Sequence, residues 1–269
     1  MSLLLPGMHV AATSVMHRLD PRVKMVSAML LIALPFAAPS VPSYVILSVF
    51  VTVTARLSGV PLAALLRTLR TVLWIGVFMF VFYLFTTPGE PMVAFGGISV
   101  TWAGIVAAST QVYRLCLLVI IASLLTYTTS PTQLAHGFEA LLNPLSRVRL
   151  PVRELSMVLT IALRFVPTLT QEIEKIVKAQ QARGVDFGGN VLGRIRSWVP
   201  VFVPIFVSAF RRAEQLALAM EARGYRGAEH RTRLYRLQLT PQDILASLIV
   251  LAVGLLSLGV ARLKILGGV

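Results

Sequence analysis

The chain has 269 residues, 56% of them hydrophobic and only 13% charged, with a mean hydropathy of +0.79. That balance excludes an ordinary soluble domain and makes a bilayer the natural solvent. The formal net charge of +14 would point to nucleic acid in a soluble protein, but in a membrane protein it reflects cytoplasmic loops that collect Lys and Arg.

In chain order, residues 1–15 lack the basic n-region of a signal peptide and read as a loosely ordered tail. Apolar segments long enough, or nearly so, to cross a ~30 Å hydrocarbon core follow at about 24–38, 41–57, 71–87, 101–128 and 242–260. Asp20 is the expected cap of the first, with Pro21 at its first position and Arg22 and Lys24 at the headgroups. Pro39 and Pro42 split the first two segments into a tight hairpin at one membrane face; a single kinked element is the alternative. TTPGEPMVAFGGIS, before the fourth segment, is rich in turn formers and has no Lys or Arg. Arg18, Arg22, Lys24, Arg56, Arg67 and Arg70 flank the other ends. The positive-inside rule therefore puts the N-terminus in the cytoplasm and Pro88–Ser99 outside. Five crossings leave the C-terminus outside, and Arg262 and Lys264 count mildly against that. In the fourth segment, Gly104 and Ala108 permit close helix approach, and Cys116, the single cysteine, allows no intrachain disulfide. Arg114 lies midway along the segment; it is either functional or a structural residue that faces the bundle or an interface.

Residues 129–240 hold most of the charge. Residues 130–145 read as a short amphipathic helix with Ser130 as N-cap and Pro131 in the first turn. SMVLTIALRFVPTL (156–169) and SWVPVFVPIFVSAF (197–210) are too short to span and are interrupted by Pro167, Pro200 and Pro204; they fit buried or interfacial helices. With the helical periodicity beyond them, they give two long helices, roughly 151–183 and 195–223, apolar in the first half and polar in the second. Leu169, Ile173, Ile176 and Gln180 share one face of the first. Phe206, Phe210, Ala213, Ala217 and Met220 share one face of the second. The chain thus reads as an all-α integral membrane protein: transmembrane helices within 1–128, a charged helical domain at 129–240 and a last transmembrane helix within 241–269.

The two long helices end alike. EKIVKAQQARGVD, from Glu174, and EQLALAMEARGYR, from Glu214, align without a gap at an offset of 40 residues (222 − 182). A local reading exists: glycine closes a helix in the left-handed conformation, and arginine complements the dipole of its last turn. Yet Lys would serve that cap equally well, and the cap needs no Ala beside it. A small residue next to a long, planar, multi-donor guanidinium suits insertion of a helix tip into a partner's groove.

These features resemble the transmembrane T component of energy-coupling factor (ECF) transporters, the family that includes the cobalt-system T subunit. HRLDPRVKM (17–25) is similar to that family's entry motif, TTSPTQLAHGFEALLNPL to its first coupling helix, and the paired Ala-Arg-Gly endings to its signature; the similarity runs from His17 to about Gly259. The resemblance implies a scaffold in a prokaryotic cell membrane that links a substrate-binding S component to two ABC-type ATPases and transmits their motion, for import of a vitamin or transition-metal ion. It makes 129–240 a coupling-helix domain. It assigns Ala182, Arg183 and Gly184 to one ATPase and Ala222, Arg223 and Gly224 to the other, with ATP and Mg bound by those partners and no cofactor by this chain. The apolar surface around Val158, Ile161, Phe165, Phe202, Phe206 and Phe210 is the expected platform for the S component, an exposed patch that needs lipid or a partner on it.

The residues themselves agree on what is missing. There is no G-x-x-x-x-G-K-[ST] for a nucleotide, and His9, His17, His136 and His230 are scattered, which disfavours zinc. The crossings carry no acidic residue in their middle, which disfavours an ion-coupled pump. No catalytic residue is expected. A stand-alone transporter or channel would need a polar path, of which only Arg114 is a sign. A lipid-modifying enzyme would need clustered Asp or His, whereas Asp186 and Asp243 look isolated.

Overall fold

The computed structural model describes residues 14–95, 98–142, 151–188, 190–227 and 239–266. The protein is all-α apart from one short hairpin, and it divides into two compact units. One combines the chain up to Gly137 with the chain from Leu237 onward; the other is Phe138–Arg236.

The first unit contains α1 (Val15–Arg18), α2 (Pro21–Ala37), α3 (Val41–Ser58), α4 (Leu62–Thr86), β1 (Pro91–Phe95), β2 (Ile98–Thr101), α5 (Trp102–Thr128), the start of α6 (Pro131–Leu142) and α9 (Pro241–Leu266). Among the described residues, α3, α4, α5 and α9 are long and apolar enough to cross a membrane. α2, expected as the first of about five crossings, has 17 residues; at 1.5 Å per residue it reaches only ~25 Å. It is nonetheless separate from α3, so the kinked single element is not what forms. Side-chain hydroxyls tie the tip between them to α2 and to α9. Tyr44 donates its hydroxyl hydrogen to the Pro35 carbonyl at 3.3 Å, Ser40 and Ser43 share a 2.6 Å hydrogen bond, and Ser43 donates to the Ser257 carbonyl of α9 at 2.8 Å.

The core gathers Leu31, Leu47, Leu117, Ile121 and Val250 from α2, α3, α5 and α9. α4 packs on α5 so closely that a Cβ on Gly104 would lie 2.8 Å from the Leu84 carbonyl oxygen, with Ala108 fully buried below it; this is the close approach expected of the two small residues. α4 begins well before residue 71, because LAALLRTLR is made mostly of good helix formers and carries the helix past the edge of the hydropathy. The Pro88–Ser99 connection carries most of the antiparallel pair β1–β2, with Val93 opposite Val100 and Phe95 opposite Ile98; β-branched and aromatic residues such as these favour strands.

The second unit contains α7 (Val152–Ala182) and α8 (Val191–Ala222). Their contacts step outward from the connecting turn: Ser197 donates to the Asp186 carbonyl, Ser208 and Arg212 to Glu172, and Tyr225 to the Met157 sulfur. The pair is therefore antiparallel. Both helices run unbroken through the prolines that interrupt their apolar runs in sequence, Pro167 in α7 and Pro200 and Pro204 in α8. α8 also starts four residues earlier than expected. Arg147, Arg149, Arg231, Arg233, Arg236, His9 and His230 lie outside the described residues, as does most of the expected N-terminal tail.

Candidate functional site

The Ala-Arg-Gly endings close with the same hydrogen bonds. After α7, the Gly184 amide donates to the Gln181 carbonyl at 3.0 Å and the Val185 amide to the Gln180 carbonyl at 3.0 Å. After α8, Gly224 donates to Glu221 at 2.9 Å and Tyr225 to Met220 at 3.0 Å. With φ of 86° at Gly184 and 70° at Gly224, each ending is a Schellman turn. The glycines are thereby explained locally, but the arginines are not. Arg183 and Arg223 are exposed, and among the described residues neither guanidinium makes a hydrogen bond or ion pair. Ala182 and Ala222 are exposed as well, and a Cβ on either glycine would meet nothing within 4 Å. Each tip thus offers a small residue, a five-donor planar cation and a bare backbone turn to whatever approaches.

Between the tips, α7 and α8 are joined by polar groups that sequence patterning assigns to the solvated side. Glu172 Oε1 accepts from the Ser208 hydroxyl at 2.5 Å, and its Oε2 accepts from Arg212 Nη2 at 2.8 Å. The Ser208 hydrogen bond, helped by the Arg212 guanidinium, holds the Glu172 carboxyl below its ordinary value against the opposing effect of burial. The signal for this pair was present: Glu172 and Arg212 are themselves 40 residues apart, the offset of the repeat.

The apolar surface of the same unit is open. Val158, Phe202, Phe206 and Phe210 are 63%, 52%, 61% and 69% exposed, while Ile161 and Phe165 are half-buried. Trp198 lies between Phe187, which it meets edge-to-face, and Phe202, to which it is tilted, with ring centroids 5.6 and 6.0 Å away. α8 turns Ile205, Ser208, Ala209 and Arg212 inward and leaves its phenylalanines outside.

In the first unit, Arg114 faces the bundle. Its Nε donates to the Tyr44 hydroxyl at 2.8 Å and its Nη1 to Gln111 Oε1 at 3.3 Å, and the guanidinium lies 5.6 Å from the Phe36 ring centroid. The structural alternative therefore accounts for it. Two expectations need correction. Lys24 does not reach outward from the bundle: it is buried, and its Nζ donates to the His17 and Thr128 carbonyls, both at 3.2 Å. Nor is Asp243 isolated. It is buried at the start of α9, where one carboxylate oxygen accepts the Asp20 amide at 2.7 Å and the other accepts the Thr240 amide and hydroxyl, both at 2.7 Å. Both residues serve the ends of helices that meet far from one another in sequence, so neither pairing shows in a local pattern. Asp20 caps α2 as expected, accepting from the Arg22 amide at 2.8 Å, and Ser130 and Gln133 cap α6 reciprocally. A cavity of about 580 Å³ between α2, α3, α5 and α9 is lined mainly by apolar side chains such as Leu31, Leu57, Leu124 and Ile249.

Comparison with known proteins completes the description. Residues 12–234 match the family model described as cobalt transport protein, CbiQ. The chain is similar to the energy-coupling factor transporter transmembrane protein EcfT of Thermosediminibacter oceani, 45% identical over 254 residues covering 94% of this chain and 95% of that one. The protein of the same description from Bacillus subtilis is 43% identical over 94% of this chain and 97% of its own. That of Thermanaerovibrio acidaminovorans is 44% identical over 97% and 95%.

Proposed function

Since the chain belongs to the cobalt transport protein family, which its EcfT relatives share, we propose that it is the membrane coupling subunit of an ECF-type importer. It holds a substrate-binding S component and two ABC-type ATPases together and passes ATP-driven motion between them, without catalysing a reaction itself. ATP and Mg are bound by the ATPases. The transported substrate is a vitamin or a transition-metal ion, chosen by the S component. The protein resides in the cell membrane with its N-terminus and the 129–240 region on the cytoplasmic side.

One observation carries this reading: two solvent-facing guanidiniums, held on matching Schellman turns, with no acceptor among the described residues. A cap needs the glycine and tolerates other last-turn cations, whereas two nucleotide-binding subunits offer two similar acidic or carbonyl-lined grooves. Arg183 occupies one groove and Arg223 the other, and Ala182, Gly184, Ala222 and Gly224 keep the tips narrow. The surface around Val158, Ile161, Phe165, Phe202, Phe206 and Phe210 bears the S component.

The test is co-purification of the ATPases and substrate uptake with Arg183→Ala, Arg223→Ala and the double variant. Loss of a dipole contact alone costs about 0.3–1 kcal/mol, too little to dissociate a complex. Loss of charge-assisted hydrogen bonds costs about 1.5–3 kcal/mol each. Each single change is expected to impair uptake, and the double to release the ATPases from a folded subunit, with Arg→Lys rescuing only in part because the fork is lost. A double variant that keeps both ATPases and full uptake would leave the arginines as helix caps.

A further inference from the structure

In an antiparallel pair of repeated helices, the residue numbers of facing partners sum to a nearly constant value. A residue therefore meets its own counterpart at one place only, on the local twofold axis that relates the repeats. Glu172 and Arg212 are counterparts (212 − 172 is the repeat offset of 40), and they are in contact at 2.8 Å. Their pairing marks that axis. The contacts on either side agree, with Met157 facing Tyr225 toward one end and Asp186 facing Ser197 toward the other. Both tips then lie the same distance from the axis: Arg183 follows Glu172, and Arg223 follows Arg212, by eleven residues (183 − 172 and 223 − 212), about 16 Å of helix.

The chemistry at the axis is unlike that of its surroundings. Where counterparts meet, identical repeats would set like charges against each other; this chain has departed from its own repeat there, with Glu on one helix and Arg on the other. The carboxylate is held at both oxygens, by Ser208 and by Arg212, which fixes direction as well as distance. On either side the polar contacts are single neutral hydrogen bonds, from Ser197 to the Asp186 carbonyl and from Tyr225 to the Met157 sulfur, and among the described residues of the pair the ion pair lies at the axis alone.

We propose that Glu172, Ser208 and Arg212 form the pivot of the helix pair, about which α7 and α8 turn so that displacement of one Ala-Arg-Gly tip reappears at the other with equal amplitude. This rests on the coupling function set out above and makes these three residues positioning residues for it. Equal arms let two ATPases that close together drive one symmetric motion, and a pivot off the axis would favour one of them.

The experiment uses the complex purified with its ATPases and S component, in a Cys116→Ser background, and reads bound ATPase, ATP hydrolysis and uptake separately. Glu172→Ala and Arg212→Ala are expected to retain the ATPases and their hydrolysis while uptake per ATP falls about tenfold, the equivalent of one charge-assisted hydrogen bond. Exchanging the pair (Glu172→Arg with Arg212→Glu) should restore it. A short, cleavable thiol cross-link between Glu172→Cys and Arg212→Cys should also restore uptake, since a pinned pivot still turns. The same link between Met157→Cys and Tyr225→Cys should block uptake until it is cleaved. Unchanged uptake per ATP in both alanine variants, or uptake that survives the outer link, would overturn the pivot; loss of the ATPases from the alanine variants would overturn it in favour of an assembly contact. A wild-type preparation without ATPases would instead overturn the coupling function itself.

Discussion

Gly184 and Gly224 show what a single side chain can and cannot do at the helix tips. Their φ values of 86° and 70° exclude most residues, yet open space surrounds both. Alanine at either position therefore meets no clash and costs only the left-handed strain, about 1–2 kcal/mol. The expected result is a modest fall in detergent melting temperature for Gly184→Ala or Gly224→Ala with a larger loss of ATPase binding, because an unwound turn no longer aims its arginine. Asparagine, which tolerates this conformation, should retain most binding; equal losses for Asn and Ala would show that the turn's shape is immaterial. These tips were legible because their information is local: cap, glycine and repeat lie within a few residues. Lys24 and Asp243 were not. Their partners lie 104 and 223 residues away, and pattern reading sorts a charge by its own helix face, not by what another helix brings to it; the Glu172–Arg212 pair carried one signal, the 40-residue offset of the repeat.

At the level of elements, hydropathy and periodicity located the long helices, including α7 and α8 as continuous through their prolines, and misplaced chiefly the starts of α4 and α8. α7 and α8 pass through Pro167, Pro200 and Pro204 because a proline forfeits one backbone hydrogen bond and imposes a local distortion, while the helix on both sides keeps its remaining bonds. α2 is as short as its apolar run suggests and ends at Ala37, because the residue before Pro39 is biased away from the helical region. The exposed phenylalanines of α8 are the element's principal claim to function. Phe206→Glu places a charge on a surface whose only stable covering is apolar, and it is expected to release the S component while leaving the ATPases attached, as read by co-purification of each. Retention of the S component with normal uptake would move the platform elsewhere.

For the whole molecule, we propose from the charge asymmetry that the paired tips are cytoplasmic and the Pro88–Ser99 connection is outside. A cysteine at Val185 in a Cys116-free background is then expected to be labelled by an impermeant reagent only from inside, and one at Ser99 only from outside. The reverse pattern would invert the protein and remove its tips from any cytoplasmic partner. The hydrogen bond from the Asp20 amide to Asp243 has a bearing on the protein's synthesis that outlasts these questions of mechanism. It spans 223 residues at 2.7 Å, so the amide at the cap of α2 has no Asp243 carboxylate until the start of α9 leaves the ribosome. Until then the early helices form an unfinished set. Cells should then recognise the missing carboxylate as incompleteness: a chain stopped after Thr240, or one carrying Asp243→Leu, is expected to be made at the normal rate and cleared several-fold faster by membrane proteases in a pulse–chase experiment. Equal lifetimes would mean that the bundle is accepted before it is closed.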